Sequence, residues 1–404
     1  MKYVVVLTDG MADEPYEELG GLSPMEKADV PLIDALAARG EIGLVTTVPA
    51  TMAPGSDVAN LAVMGYDPKV YHTGRSPLEA ISMGIALGDT DVAMRCNLVT
   101  LSKEENFEDR LMLDYSAGEI STEEASLLIA DLKKIVDDPV FSLYPGISYR
   151  HALVWSAPHE GIQLTPPHDF LDKSIREFLP KQDPSGRLLD LMKKSADLLL
   201  HHPVNQARIA LGKNPANAIW LWGLGKKTIL PSFETMYGKK GAVISAVDLI
   251  KGIALAAGME SIDVPGATGT IHTDFNAKAQ AALEVLTKRA DYLYLHLEAS
   301  DECSHQGELY EKIRSLELIE QKVIRPIVEG LRASGEDFRL LILSDHPTPV
   351  RLRTHTRESV PFVLYDSRKT RLVRPEQIYS ERVAGKTGFS FPTGPALAAY
   401  FLER

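Results

Sequence analysis

Six side chains in this sequence have the types and placement of metal ligands. Asp345 and His346 stand side by side after the run Leu340-Leu341-Ile342-Leu343-Ser344. An adjacent carboxylate and imidazole suit a divalent cation such as Zn or Mn. Asp9 follows a second apolar run, Tyr3-Val4-Val5-Val6-Leu7. Asp301 follows a third, Tyr292-Leu293-Tyr294-Leu295-His296-Leu297, and His305 comes four residues later, on the same face if that segment is helical. His355 lies beyond His346, in Arg353-Thr354-His355-Thr356. Cys303, between Asp301 and His305, reads as a small buried residue rather than a further ligand. A hydroxyl completes the set. Pro54-Gly55 forces a turn, and Ser56 opens the Ala-rich stretch Asp57-Val58-Ala59-Asn60-Leu61-Ala62. That is the place of an ordinary N-cap, and equally a place where backbone N–H groups and the helix dipole favour an anion. A serine there, beside a metal, could lose its proton and attack a phosphoryl group.

These groups need a frame that brings distant segments together. The run 340–343 is continuous and apolar, as in a strand buried on both faces of a parallel sheet. Such sheets carry their functional groups just beyond the carboxyl ends of the strands. Residues 2–7 and 291–297 read the same way. The opening segment predicts strand, helix and strand: 2–7, then a helix from Pro31 with Leu32, Ile33, Leu36 and Ala37 on one face and Gly40 as its cap, then 42–45. That β-α-β start predicts an α/β fold with a mostly parallel sheet flanked by helices. Further strands are expected at 218–223, 241–244 and 360–365, and helices at 247–257, 276–289 and 308–334. There is no internal repeat.

From 94 to 215 the chain is more polar and broken by Pro-rich turns, with a short strand at 151–155 and a helix opened by a Ser121/Glu124 capping box. This predicts a smaller α+β domain at 94–215, inserted into a core made of 1–93 and 216–404. Arg95, Arg150 and His168 are its candidate groups for phosphate or carboxylate, because a planar guanidinium binds two oxygens at once.

The 404 residues suffice for such a core with an insertion. A formal charge of −12 argues against a nucleic-acid partner, which requires a basic face, and leaves room for a small phosphorylated substrate. Two cysteines, Cys96 and Cys303, suit a reducing compartment. No stretch reaches the roughly 20 apolar residues of a membrane span, so a cytoplasmic protein is expected. Neither Gly223-Leu224-Gly225-Lys226-Lys227-Thr228 nor Gly385-Lys386-Thr387 has the spacing of a P-loop.

Taken in order, Thr8-Asp9-Gly10, Pro54-Gly55-Ser56-Asp57, Arg95-Cys96-Asn97, Asp301 with His305, Asp345-His346 and His355 resemble the cofactor-independent phosphoglycerate mutases of the archaeal type, in the alkaline phosphatase superfamily. The likeness covers nearly the whole chain. It implies an alkaline-phosphatase-like core with an inserted phosphotransferase domain and two divalent metal ions, Mn, Zn or Mg. By that resemblance Asp9, Ser56, Asp345 and His346 surround one ion, while Asp301, His305 and His355 hold the other. Ser56 is then the nucleophile, carrying the phosphoryl group while the glycerate stays held by the insert. Lys213 resembles a family lysine that reaches the phosphate. Three features depart from the family pattern: Ser304 replaces a glycine, Pro347-Thr348 follow Asp345-His346, and Trp222 stands where many relatives carry Arg. They resemble a bacterial branch proposed to act as a homoserine kinase. Three activities are therefore in view: a mutase, a homoserine kinase-like phosphotransferase and a metal-dependent phosphomonoesterase.

Overall fold

The computed structural model describes residues 1–156, 158, 160–369 and 372–403. Its strands are β1 Lys2–Thr8, β2 Glu41–Val45, β3 Asp91–Leu101, β4 Met112–Asp114, β5 Phe141–Tyr144, β6 Arg150–Ser156, β7 Ala218–Lys226, β8 Gly241–Ile244, β9 Glu260–Ile262, β10 Tyr292–Leu297, β11 Phe338–Leu343, β12 Val360–Asp366 and β13 Ser390–Phe391. Two compact units divide the chain, residues 1–72 with 229–404 and residues 73–228. The boundaries expected from sequence, 93/94 and 215/216, fall inside the second unit and need correction. The helix Arg75–Ser82 packs on β3 and β7, and β7 pairs along β3 from Ala218 to Lys226. Both segments therefore belong with the insert.

The first unit is built on an eight-stranded sheet in the order β13-β2-β12-β11-β1-β10-β8-β9. Only β12 runs against its neighbours; the other pairings are parallel. The sheet is thus mostly parallel, as the apolar runs imply. β10 and β11 are buried along their whole length, and β1 from Tyr3 onward. The register carries the site: Leu7 lies beside Leu343 of β11, and Thr8 beside Leu297 of β10. Continued past the strand ends, that register puts Asp9, two residues after Leu7, level with Asp345, two after Leu343, and with Glu298, one after Leu297.

Flanking helices close both faces. The helix expected at 308–334 is present, but a five-residue π turn, Glu320–Ile324, separates Leu309–Ile319 from Arg325–Ser334. The buried Glu320 performs a capping task that no residue of the helix Pro31–Ala37 performs for itself. Its Oε2 accepts from Leu32 N at 2.9 Å and Ile33 N at 3.0 Å, while Oε1 pairs with Arg325 at 2.8 Å. Val30, the N-cap residue, has no side-chain acceptor to offer.

In the second unit β3 is central to an antiparallel sheet, with β4 and β6 on one side and β7 on the other; β5 extends it beyond β6. The helix Thr122–Val136 packs on β5 and Arg187–Leu200 on β7, giving the α+β character expected. Only half of the capping box forms. Ser121 Oγ accepts from Glu124 N at 3.2 Å, whereas the Glu124 carboxylate pairs with Arg208. Among the described residues no helix is long and apolar enough to cross a membrane.

Glu320→Ala leaves the buried Ile33 N–H and the partly buried Leu32 N–H without their acceptor. It should lower the stability of the first unit by about 1–3 kcal/mol, read as an earlier urea midpoint in metal-free protein. An unchanged midpoint contradicts the capping role.

Candidate functional site

All seven residues read as ligands or nucleophile lie in the first unit, and its strand ends bring them together. Asp9 follows β1, Asp345 and His346 follow β11, and Asp301 and His305 lie one turn apart in the helix Ala299–Gln306 after β10. Ser56 is the first residue of the helix Ser56–Val63; Gly55, not Ser56, is its N-cap. Ser56 Oγ stands 3.3 Å from His346 Nε2, which lies 3.2 Å from Asp345 Oδ2 and 3.8 Å from Asp9 Oδ1. On the other side, Asp301 Oδ2 is 3.1 Å from His305 Nε2, and Asp301 Oδ1 is 3.5 Å from His355 Nε2. The His346 and His355 rings stack at 3.8 Å and join the halves. Two groups have ligand atoms within 4.8 Å of one another: Asp9 with Asp345 and His346, and Asp301 with His346 and His355. His346 thus faces both groups, a position that the two separate ligand sets implied by family resemblance do not give it.

The three imidazoles share one orientation. His346 Nδ1 lies 3.2 Å from Thr348 Oγ1, His305 Nδ1 2.9 Å from Arg353 O, and His355 Nδ1 3.2 Å from Pro54 O. A carbonyl can only accept, so Nδ1 of His305 and of His355 carries a proton, and Nε2 is left to hold a second proton or a cation. The Nε2 atoms of these two rings are 2.9 Å apart, where two lone pairs repel unless a proton or a cation lies with them. Accordingly the Asp301 hydrogen bond raises His305 to about 8, and Asp301 also raises His355 against the lowering effect of burial.

The carboxylates point to the same requirement. Burial, together with the charges of Asp345 and Asp301, pushes Asp9 well above the usual carboxylate range. Its Oδ1 is buried without a hydrogen-bond partner. An orphaned carboxylate oxygen among lone-pair nitrogens is the donor set of a divalent cation, and the residues fit one. Asp345 is better satisfied. Gly10 N (3.2 Å) and His346 N (2.9 Å) donate to Oδ1, and Asn60 Nδ2 (3.0 Å) donates to Oδ2.

Several participants were not singled out from the sequence. Asn60 Nδ2 also donates to Ser56 O at 2.9 Å, so one amide ties the serine's turn to Asp345. Its position, one turn after Ser56 on an apolar helix, was the available signal. Thr348 donates to Asp301 Oδ1 at 2.6 Å and meets His346 Nδ1, which gives this departure from the family pattern a task. Ser304, the other nearby departure, is buried and donates to Ser300 O at 2.7 Å. His296, Glu298 and Lys278 form a buried chain behind Asp9. Glu298 and Asp9 hold His296 up at about 10 although burial alone would lower it. Period-two spacing of Tyr292, Tyr294, His296 and Glu298 placed these four on one face.

The four candidate substrate residues lie in the second unit, and three of them belong to one arc. Arg95 lies 4.5 Å over Trp222, whose ring meets His168 at 5.3 Å; His168 meets Tyr115 at 5.9 Å, Tyr115 meets Tyr149 at 6.0 Å, and Arg150 lies 5.5 Å over Tyr149. Cations over aromatic faces are held in place while their N–H edges stay free. The Arg95 fork is engaged by Glu79. Lys213 sits in the exposed turn after the helix Pro203–Ala210, and among the described contacts none ties its side chain to the arc.

Comparison with known proteins agrees with the ordered motifs. The family model for 2,3-bisphosphoglycerate-independent phosphoglycerate mutase matches residues 37–205. A protein of that name from Methanothrix thermoacetophila is 50% identical over 367 residues, 91% of this chain and 91% of its own. The chain belongs to the 2,3-bisphosphoglycerate-independent phosphoglycerate mutase family. The namesake from Methanosarcina barkeri is 48% identical over 92% of each chain. In fold, the solved cofactor-independent phosphoglycerate mutase of Thermoplasma acidophilum superposes with a TM-score of 0.68 at 22% identity, covering 100% of this chain and 99% of its own.

Gly10 tests how tightly this mutase-family centre is assembled. At φ +61° it precludes most side chains, and a Cβ there would lie 2.5 Å from Asp301 Oδ1 and 2.6 Å from Thr348 Oγ1. Gly20, at φ +73°, has open space around its Cβ position. Each Ala substitution should cost about 1–2 kcal/mol of backbone strain, but only Gly10→Ala should also weaken Mn2+ binding, measured by calorimetry. Equal Mn2+ affinity in the two variants contradicts the close approach.

Proposed function

We propose that this protein interconverts 3-phosphoglycerate and 2-phosphoglycerate, with Ser56 carrying the phosphoryl group between the two hydroxyls of glycerate. The observation that carries the reading is the place of Ser56 Oγ. It stands at a helix N-terminus, 3.3 Å from His346 Nε2, beside the group formed by Asp9, Asp345 and His346. Names of relatives alike over nine-tenths of the chain support the substrate. Asp9, Ser56, Asp345 and His346 would hold one divalent cation, and Asp301, His305 and His355 a second; Mn, Zn and Mg all accept such donors. When bound, the cations lower the pKa of the serine hydroxyl and offset charge on the phosphoryl oxygens.

The chain's own residues supply the rest. Ser56 Oγ forms a bond to phosphorus as the bond from phosphorus to the substrate's C3 oxygen breaks, and that oxygen leaves as the hydroxyl of glycerate. In the return step the C2 oxygen takes the phosphoryl group and Ser56 regains its proton. The N-terminus of the helix Ser56–Val63 favours the anion, and Asn60 keeps Ser56 and Asp345 in register. Arg95, Arg150, His168 and Lys213 are proposed to hold the carboxylate and phosphate of the substrate, Arg150 and His168 being the exposed members of the aromatic arc. Thr348 and Asn60 join the site as positioning groups.

Metal-loaded protein given 3-phosphoglycerate, with neither ATP nor 2,3-bisphosphoglycerate, should form 2-phosphoglycerate. Ser56→Ala should reduce that rate by at least about a thousandfold while the far-ultraviolet dichroism stays unchanged. Free phosphate as sole product would make the protein a phosphomonoesterase, and ATP-dependent O-phosphohomoserine a kinase. Substantial turnover in the variant removes Ser56 from the mechanism.

A further inference from the structure

Behind Asp9, on β10 and the helix Phe275–Lys288, runs a chain of buried charges that the proposed reaction leaves without a task. His296 Nε2 stands 3.1 Å from Asp9 Oδ2 as an ion-pair contact without hydrogen-bond alignment, and its Nδ1 is hydrogen-bonded to Glu298 Oε1 at 3.0 Å. Glu298 Oε2 meets Lys278 Nζ at 2.8 Å, and the same ammonium donates to His296 O at 3.2 Å. The Ser245 hydroxyl (3.1 Å) and Ala246 N–H (3.0 Å) hold Glu298 Oε1 from the β8 end. Lys278 and His296 are fully buried and Glu298 is 6% exposed.

A buried ion network is a poor source of stability, since well-packed apolar residues of the same volume often do as well or better. What four alternating groups can supply is fixed orientation. Here the chain ends on one edge of the Asp9 carboxylate. Like His296 Nε2, the opposite oxygen Oδ1 is buried without a hydrogen-bond partner, and it lies 3.8 Å from His346 Nε2. Among the described contacts the side chains of Lys278 and Glu298 reach the six candidate ligands only through His296; the Glu298 backbone O accepts from Asp301 N at 3.1 Å, a bond that side-chain substitution leaves in place.

We infer that Lys278, Glu298 and His296 form a positioning relay, which restrains Asp9 through Oδ2 so that Oδ1 is presented to a divalent cation shared with Asp345 and His346. Outer groups that orient a metal-binding side chain commonly change metal affinity by roughly 10- to 100-fold when lost. Because the relay rests on the two-cation reading, the unsubstituted protein is measured first. Mn2+ titrated calorimetrically into metal-stripped protein should bind in two phases, and the phase lost in Asp345→Asn belongs to the Asp9 side. Glu298→Gln, which keeps the shape of the side chain, should weaken that phase by roughly 10- to 100-fold and spare the other. Lys278→Arg should keep the unsubstituted affinity. A merely structural role would lower the melting temperature in EDTA and leave the Mn2+ affinity of the folded protein unaltered. Should Glu298→Gln not fold, Lys278→Met is read in the same way. An unaltered Asp9-side phase in whichever variant folds, or equal weakening of both phases, overturns the relay. One phase or none in the unsubstituted protein overturns the two-cation reading instead.

Discussion

Three carboxylates, Asp9, Asp301 and Asp345, converge at the carboxyl end of one sheet with little access to water. Like charges in a low-dielectric setting repel strongly, and taking each out of water is costly in itself. The surroundings answer this unevenly. Asp301 is drawn well below the usual range because hydrogen bonds from His305 and His355 outweigh its burial, and Asp345 accepts three N–H donors. Asp9 keeps one oxygen unmatched. Much of the local structure follows from this imbalance: imidazoles turned to show Nε2, a serine beside them, and at the back of Asp9 a chain of alternating charges that begins with His296.

The frame that enforces the convergence is simple. Three adjacent parallel strands, β11, β1 and β10, end level with one another, so residues from opposite ends of the chain meet at one rim. The strands were legible because burial on both faces demands uninterrupted apolar runs, and the ligands were legible because they interrupt those runs. The same logic hid His296, which lies within an apolar run and looks like part of it. Lys278 was hidden differently: a lysine in an amphipathic helix is ordinarily a solvent-facing residue, and nothing local says that this one is fully buried.

The insert shows the limit of composition as a guide. Its polarity marks the middle of the chain, but the boundary positions depend on pairing across the sheet. β7 stays paired with β3 past Gly223, through a register shift between Arg95 and Ala93, and the short helix Arg75–Ser82 joins them through packing that its eight residues do not advertise. Glu124 was equally local in appearance, a capping-box acid, yet a buried arginine far along the chain claims it. Trp222, a departure from the family pattern, becomes intelligible as the surface on which Arg95 rests and His168 leans.

The central claim is that these acids and imidazoles are gathered to hold two cations against Ser56. Anomalous diffraction at the Mn absorption edge from crystals grown with Mn2+ tests it most directly. Two peaks are predicted, one touching Asp9, Asp345, His346 and Ser56 Oγ, the other touching Asp301, His305 and His355. No peak at this rim, or ions bound with Ser56 turned away from both, would contradict the account.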